Sequence, residues 1–472
     1  MQQSQLIMLC RSLSKSEWRD VHDFAASPTH NRRTDAQDLL RHIESGLSKI
    51  KTTHLDKEKA WKKTYPTKPY DDAAMRYLMF LAQTLVQNCL AFNAWQTNEM
   101  AREVLLIKDL RKRNNTQKLL ETEIRKTAQL FDNHQFRNFN YYYQWYEFKL
   151  EHYEYGISQQ RDAVEGFQAF SDALNVFFMA QKLRQGCAAL SQNALNKSPL
   201  RIDFLPEVLA FLAEKEDVVE VPLVALFYYT YRALSDNQDV VYFNKLKALL
   251  FEVSDQFTHS ELRELYLNAI NCCIRRINAA QANFIIEVFD IYRKGLETKA
   301  LLEGNTLSRY TYNNIVMAGV RLKEFDWIEK FIHEYKPFLE EKFCESTFNH
   351  ALATFYFKKK DFPEAMVFLQ NAEFDDVLHN LDARRMLACI YYDLSEFEAL
   401  DAHLEAFKNF LYRHKNIGYH RENCLHFIRF LLRFMSLDFT NKADIKALEK
   451  EILSTSTVVE KDWLLEKLKI KK

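Results

Sequence analysis

Histidine is the side chain that most often ligates metals and moves protons near neutral pH, and the chain contains 14 of them. No HExxH motif occurs, and no two histidines stand three or four residues apart beside a carboxylate. His414, His420 and His426 recur every six residues, a spacing that does not align them on one face of a helix. The sequence therefore predicts no metal site.

The sequence also contains no motif for nucleotide binding or for covalent catalysis. The chain has neither GxGxxG nor GxxxxGK[ST], and a phosphate-cradling loop is hard to build with only 8 glycines. Serines and cysteines occur, but no motif places one of them as a nucleophile on a sharp turn. We therefore expect a protein that is not an enzyme and that uses no cofactor.

Two runs of residues have a composition that suits nucleic acid. Residues 135–155 hold ten aromatic side chains, which stack on bases in some proteins, and residues 108–126 contain seven lysines and arginines. Core packing is the simpler interpretation of the aromatic run, since five of its members fall near one helical face: Phe136, Phe139, Tyr143, Tyr146 and Tyr153. The basic run is typical of a solvated helix face.

The scarcity of helix-breaking residues indicates which elements must position any site. Only 8 Gly and 8 Pro occur in 472 residues, whereas sheet proteins need these residues at their turns. Hydrophobic residues make up 47% of the chain, enough for a folded core. The composition predicts an all-α protein of long helices joined by short polar links.

The charge distribution and the cysteines indicate the kind of partner and the cellular compartment to expect. Residues 1–150 carry 24 basic and 17 acidic residues, a net charge of +7, so the remainder carries −7. The eight cysteines are scattered without a CxxC motif, which favours reduced thiols. We find no signal peptide at the N-terminus and no long uncharged apolar stretch, so we expect a cytoplasmic protein without membrane contact.

Breaks in the pattern divide the chain into four segments. Residues 1–70 are predicted to form an N-terminal helical segment with a basic linker, and 71–159 a region of long helices. Residues 160–437 read as paired helices, and 438–472 as a C-terminal helical cap holding two short helices from Asn441 onward. Ser14 and Glu17 match a capping box at the start of a helix.

Five stretches have the same organisation of helix, short polar link and helix: 222–257, 260–297, 309–342, 346–377 and 381–413. A link as short as KEF, KKDF or SEF forces its two helices to lie antiparallel. A period near 34 residues, with hairpins too small to bury their own apolar faces, is typical of an α-solenoid.

The hairpins share a register of small and large residues. In the stretch 346–373 large Leu352 precedes small Ala353, Tyr356 follows, and Ala365 and Leu369 come after the link. This register resembles the tetratricopeptide (TPR) repeat family, well over 309–413 and loosely over 160–300. The chain departs from the family at the link, where Lys360 and Ser395 replace the usual Gly, and the terminal Pro of the repeat is missing.

The resemblance implies a concave groove lined by the first helix of each hairpin, where such proteins bind an extended peptide or a partner's helix. Matching the family's groove positions to this chain gives seven binding candidates: Tyr310, Asn313, Arg321, His350, Lys358, Arg385 and Tyr392. Met317, Thr347, Thr354, Asp382, Cys389 and Asp393 occupy further groove positions. Arg321, Lys358 and Arg385 would suit an acidic peptide.

We therefore expect an all-α α-solenoid of TPR-like helical hairpins with a helical N-terminal region. Its expected function is that of a non-catalytic scaffold or adaptor for a protein or peptide. The alternative is a nucleic-acid-associated regulator that uses its basic N-terminal third, with the repeats as a sensing or dimerisation part. No feature of the sequence fixes the oligomeric state.

Overall fold

The protein is an all-α protein, as its composition predicts. The computed structural model describes residues 1–47, 55–159, 166–193, 200–215, 221–236, 238–370, 377–414, 418–455 and 458–470. Within these ranges the chain forms 23 α-helices, and its two short strands pair in one antiparallel hairpin, Leu302–Glu303 with Thr306–Leu307. None of the described helices has both the length and the apolar composition needed to cross a membrane.

The chain divides into two compact units, Met1–Phe178 and Met179–Lys472, with the border inside one helix. The helices of the first unit, up to and including that shared helix, are α1 (Gln5–Arg11), α2 (Lys15–Ala26), α3 (Thr34–Leu47), α4 (Lys57–Thr64), α5 (Asp72–Thr97), α6 (Glu99–Arg111), α7 (Gln117–Asn133), α8 (Phe139–Gln159) and α9 (Phe167–Asn193). The predicted border at residue 160 falls on 160–165, which lie outside the described ranges.

The predicted capping box begins α2. The hydroxyl of Ser14 accepts the backbone N–H of Glu17, and the carboxylate of Glu17 accepts the backbone N–H of Ser14 at 2.7 Å. Two otherwise unpaired backbone donors are thereby satisfied. The apolar faces of α1, α2, α3 and α5 then share one buried cluster, in which Ile7, Ala36 and Met75 are fully enclosed.

The aromatic run lies on α8, but its buried face differs from the predicted one. Of the five aromatics expected in the core only Phe139 is buried, and Tyr143 is exposed. The fully buried face instead carries Tyr141, Gln144, Phe148 and Glu151, and Tyr141 and Phe148 pack against Phe131 of α7. The predicted face is thus only partly in the core, since its other three aromatics are half-buried.

The second unit contains fourteen further helices in the described residues: α10 (Leu205–Glu214), α11 (Pro222–Ser235), α12 (Val241–Glu252), α13 (His259–Asn278), α14 (Phe284–Glu297), α15 (Arg309–Leu322), α16 (Phe325–Tyr335), α17 (Cys344–Lys359), α18 (Phe362–Gln370), α19 (Val377–Asp393), α20 (Phe397–Arg413), α21 (Tyr419–Ser436), α22 (Lys442–Ser454) and α23 (Lys461–Ile470). The two short helices predicted after Asn441 are therefore present as α22 and α23.

Helices of the second unit pack mainly on their neighbours along the chain. The pairs α11–α12, α13–α14, α15–α16, α17–α18 and α19–α20 each pack together, and α17 also packs on α15 and α19. Close approach within the α15–α16 pair depends on Gly319, because a Cβ there would stand 2.3 Å from the side chain of Ile328. Small residues thus set the distance between the two helices of this pair.

A fully buried arginine closes the C-terminal end of α11. The guanidinium of Arg276 on α13 donates to the backbone carbonyls of Ala233, Asp236 and Asp239 at 2.9, 3.0 and 3.0 Å. These carbonyls lie at or just after the end of α11, where the helix leaves its last carbonyls unpaired and where a positive charge is favourable.

Candidate interaction site on the first helices of the C-terminal hairpins

Three hairpins end their first helix in the same way. At the ends of α15, α17 and α19 the residues Lys323, Lys360 and Ser395 have φ of 63°, 65° and 61°. The next residue of each link donates its N–H five residues back along the chain, for example from Asp361 to Tyr356 at 2.9 Å. This is a Schellman motif, whose left-handed position favours glycine. Lys360 and Ser395, the two departures from the TPR-like pattern, therefore occupy a left-handed position that glycine adopts without steric cost.

Cations from two successive first helices meet at one carboxylate, one near the end of α17 and one in the middle of α19. Lys358 of α17 donates to both carboxylate oxygens of Glu460 at 3.3 and 3.4 Å, and Arg385 of α19 forms an ion pair with the same carboxylate. Glu460 immediately precedes α23, and its side chain is largely buried. The sequence predicted both cations but assigned residue 460 only to a terminal cap.

Arg385 is also held from its own helix. Its guanidinium donates to Asp382, one turn earlier on α19, at 3.1 Å. Burial raises the pKa of Asp382, but Arg385 and a hydrogen bond from His350 outweigh that effect and hold it well below the ordinary value. Asp382 therefore remains ionised and orients the guanidinium toward Glu460.

The surroundings of Lys358 disfavour the charged form of its ammonium group. Burial lowers the pKa of its ammonium group, and the positive charges of Arg385 and Arg321 lower it further. Lys358 of α17 is thus within electrostatic reach of a cation on α15 and of another on α19. The carboxylate of Glu460 offsets the repulsion between them.

The polar candidates on the interior side of this cluster form a buried layer. His350 of α17 and His379 of α19 stack with ring centroids 4.3 Å apart, and Asn313 of α15 lies 3.0 Å from the Nε2 atom of His379. His350, Thr347 and Thr354 are all buried. These side chains connect the first helices to one another, and a ligand on the surface does not reach them in this conformation.

The indole of Trp463 on α23 packs on Tyr392, another candidate. The two rings meet edge to face with centroids 5.4 Å apart, and the indole N–H donates to Asp393 at 3.3 Å. Lys467, one turn further along α23, forms an ion pair with the same Asp393. Tyr392 is buried in this arrangement.

One strip of candidate residues remains open to solvent. On α15 the side chains of Tyr310 and Met317 are 61% and 44% exposed, and Arg321 is exposed at the end of the same helix. Spacings of seven and four residues place the three on one helical face. We call the surface formed by Tyr310, Met317, Arg321, Lys358 and Arg385 the first-helix face.

The basic run of the N-terminal third is largely neutralised within its own unit. Arg111 pairs with buried Glu151 at 2.8 Å, and Lys108 lies 3.6 Å from the same carboxylate. Arg113 pairs with Asp109 on its own helix. These contacts lower the charge that this surface presents to a phosphate backbone.

Across the described ranges, no group of three or more His, Cys, Asp and Glu side chains is arranged to hold a metal ion. The candidate residues on the first helices therefore offer ion pairing, hydrogen bonding and apolar contact. Comparisons with protein-family models, with curated proteins and with solved structures found no match to this chain.

Proposed function

We propose that the protein is a non-catalytic scaffold or adaptor that binds a protein or peptide along the first-helix face of a TPR-like α-solenoid. The observation that carries the proposal is the convergence of Arg321, Lys358 and Arg385. These cations come from three successive first helices, the charges of Arg321 and Arg385 both act on Lys358, and Lys358 and Arg385 already pair with a carboxylate of the chain. Such a cluster favours an acidic ligand.

Local regularity supports the solenoid part of the proposal. The helices α15, α17 and α19 begin at residues 309, 344 and 377, and each ends in the same Schellman motif. The helix α17 packs on both α15 and α19. Stacking of equivalent hairpins in this way aligns their first helices side by side.

The exposed residues of α15 indicate how a ligand would continue beyond the cations. Tyr310 and Met317 present large apolar surfaces to solvent, and Arg321 adds a charge at the end nearest Lys358. A bound segment would place apolar side chains against α15 and acidic ones near Arg321. Aromatic, methionine and arginine side chains are enriched at protein interfaces for these reasons.

The proposal places the protein in the cytoplasm, without a cofactor. All eight cysteines are free thiols and seven of them are buried, which suits a reducing compartment. Burial raises the pKa of Cys10, Cys272 and Cys389 to about 12, so these thiols are not activated as nucleophiles.

Affinity capture with paired variants tests this function. The tagged full-length chain is captured from its native lysate with and without nuclease, and bound proteins are identified by mass spectrometry. We expect a defined protein partner that survives nuclease and is lost with Arg321→Glu. Lys330→Glu is the matched control, since it reverses an equally exposed cation on the second helix of the same hairpin, α16.

The opposite pattern would support the alternative function. Recovery of nucleic acid, with accompanying proteins that disappear on nuclease treatment, would refute the scaffold proposal. Binding that falls steeply with salt and depends on the N-terminal third would then indicate a nucleic-acid-associated regulator.

A further inference from the structure

Glu460 covers Lys358 and Arg385 of the first-helix face, and the helix α23 that follows it packs on the adjoining Tyr392 and Asp393 of α19. We propose that the part of this face around Lys358 and Arg385 binds a partner helix that begins with an acidic residue and has an aromatic residue three positions later. The chain's own α23 occupies this surface when the partner is absent. This inference rests on the proposed function and specifies its ligand.

Charge complementarity defines the first position of the partner segment. Glu460 satisfies Lys358 and Arg385 together, and these ion pairs join residues 102 and 75 positions apart in the chain. Without Glu460, Arg385 would keep Asp382 as a partner. Lys358 forms no other ion pair within the described residues, although the charge of Asp462 on α23 also acts on it. The vacated site therefore presents two adjoining cations, one of them already oriented, and it requires an anion.

Side chains on one face of α23 define the remaining positions. Trp463 packs on Tyr392 and donates to Asp393, while Lys467 pairs with Asp393. Leu464 and Leu468 are fully buried in the cluster that surrounds α19 and α21. Counted from the acidic residue, the pattern is aromatic at +3, apolar at +4 and +8, and basic at +7. These spacings describe one face of a helix laid on a surface.

Two features make the binding of α23 to this surface less favourable than that of a separate helix. Glu460 has a φ of 51°, a left-handed conformation that is unfavourable for a residue with a side chain. The helix that follows it is short, with ten residues. A partner helix without the strained residue can offer the same contacts at lower conformational cost, and it would compete with α23 for the surface.

A peptide-binding experiment on the full-length chain tests this inference. The probe is a fluorescein-labelled synthetic peptide with the sequence of residues 458–470, followed by fluorescence anisotropy. The chain is opened by the double change Glu460→Gln and Trp463→Ala, and Glu460→Gln alone serves as a milder variant should the double variant unfold. Circular dichroism verifies that each variant keeps its helices.

We expect the opened chain to bind the probe at least tenfold more tightly than the wild-type chain, in which α23 competes. Addition of Arg385→Glu to the opened chain should abolish binding, and so should a probe with lysine at the position of Glu460. Glu466→Gln is the matched control, because Glu466 lies on α23 but pairs only with exposed Lys360. The control chain should bind the probe no better than wild type.

Three results would overturn the inference. Equal binding of the native and charge-reversed probes would show that the site does not recognise the acidic residue. Absence of binding to a folded opened chain would show that α23 is a fixed end cap and that no separate helix replaces it. A concentration-dependent dimer of the opened chain would identify a second copy as the occupant. If Arg321-dependent capture of a protein persisted in any of these cases, the proposed function would stand while this inference failed.

Discussion

Replacement of Arg276 tests whether buried cations support the helix ends of the second unit. Arg276 is fully buried, and its guanidinium donates to backbone carbonyls of Ala233, Cys272, Asp236 and Asp239 at 2.9 to 3.3 Å. Arg276→Ala would remove the guanidinium donor from all four carbonyls and open a cavity. Arg276→Lys keeps the charge but cannot reach the same set of acceptors.

The magnitude follows from the number of partners lost. Removal of one member of a buried charged network costs roughly 3–5 kcal/mol, because its hydrogen-bond partners stay buried and unsatisfied. We therefore expect Arg276→Ala to lower the free energy of unfolding of this region by about 4 kcal/mol. We expect Arg276→Lys to lower it by about 2 kcal/mol, since it restores one or two of the bonds.

Hydrogen–deuterium exchange is the suitable assay, because a chain with two compact units need not unfold in one transition. A loss of about 4 kcal/mol would raise the exchange rate of the protected amides of α11 on the order of 1000-fold. Arg293→Ala is the control, since Arg293 is exposed and only faces the rings of Phe289 and Trp327. If exchange in Arg276→Ala matched that of this control, the account of the buried arginine would be refuted.

Three further predictions concern single side chains. Glu151→Gln should lower the free energy of unfolding measured in urea by about 2 kcal/mol, because it removes the buried partner of Arg111; an unchanged midpoint would contradict this. Hydrogen bonding to Arg33 lowers the pKa of Asp35 to about 2, so its stabilisation is complete above the ordinary value near 4 and disappears as pH falls through about 2. Acid unfolding of wild type and Asp35→Asn should accordingly differ by about 2 kcal/mol at pH 6 and converge near pH 2. Ser395→Gly should increase the free energy of unfolding by about 1 kcal/mol and so raise the thermal midpoint, since glycine adopts a φ of 61° without steric cost. A lower midpoint would show that the serine is not strained.

Helix content could be predicted from the sequence because it depends on local composition. The lack of Gly and Pro, the capping residues Ser14 and Glu17, and the short links all act within a few residues of the chain. The link at Lys360 shows a limit of the same reasoning. Lysine gave no signal of a left-handed residue, and only the backbone shows that Lys360 adopts this conformation.

Burial on α8 could not be predicted from hydrophobicity alone. Gln144 and Glu151 lie on the buried face, and Glu151 is there because Arg111 reaches it across forty residues. A charged residue is buried only where a partner satisfies it, and a single sequence does not reveal a partner that is distant along the chain. The exposed Tyr143 is the consequence, since the buried face is rotated away from it.

The resemblance to the TPR pattern selected Lys358 and Arg385 as candidates but gave no sign of the carboxylate that they share. The two side chains come from α17 and α19, which pack together, and they meet at that carboxylate. The carboxylate between them comes from Glu460, and nothing near it in the chain distinguishes it from other acidic residues. The available signal was the spacing of Glu460, Trp463 and Lys467 on one helical face, which resembles a docking helix as much as an end cap.

Site-specific photo-crosslinking in the native cell tests the central claim most directly. A benzophenone amino acid would replace Met317 on the exposed strip of α15, and, as control, Val367, an equally exposed residue of α18. The scaffold account predicts a cross-link from position 317 to one defined protein segment that contains acidic residues, lost with Arg321→Glu and absent from position 367. Cross-links of equal yield and identity from both positions, or cross-links to nucleic acid, would contradict it.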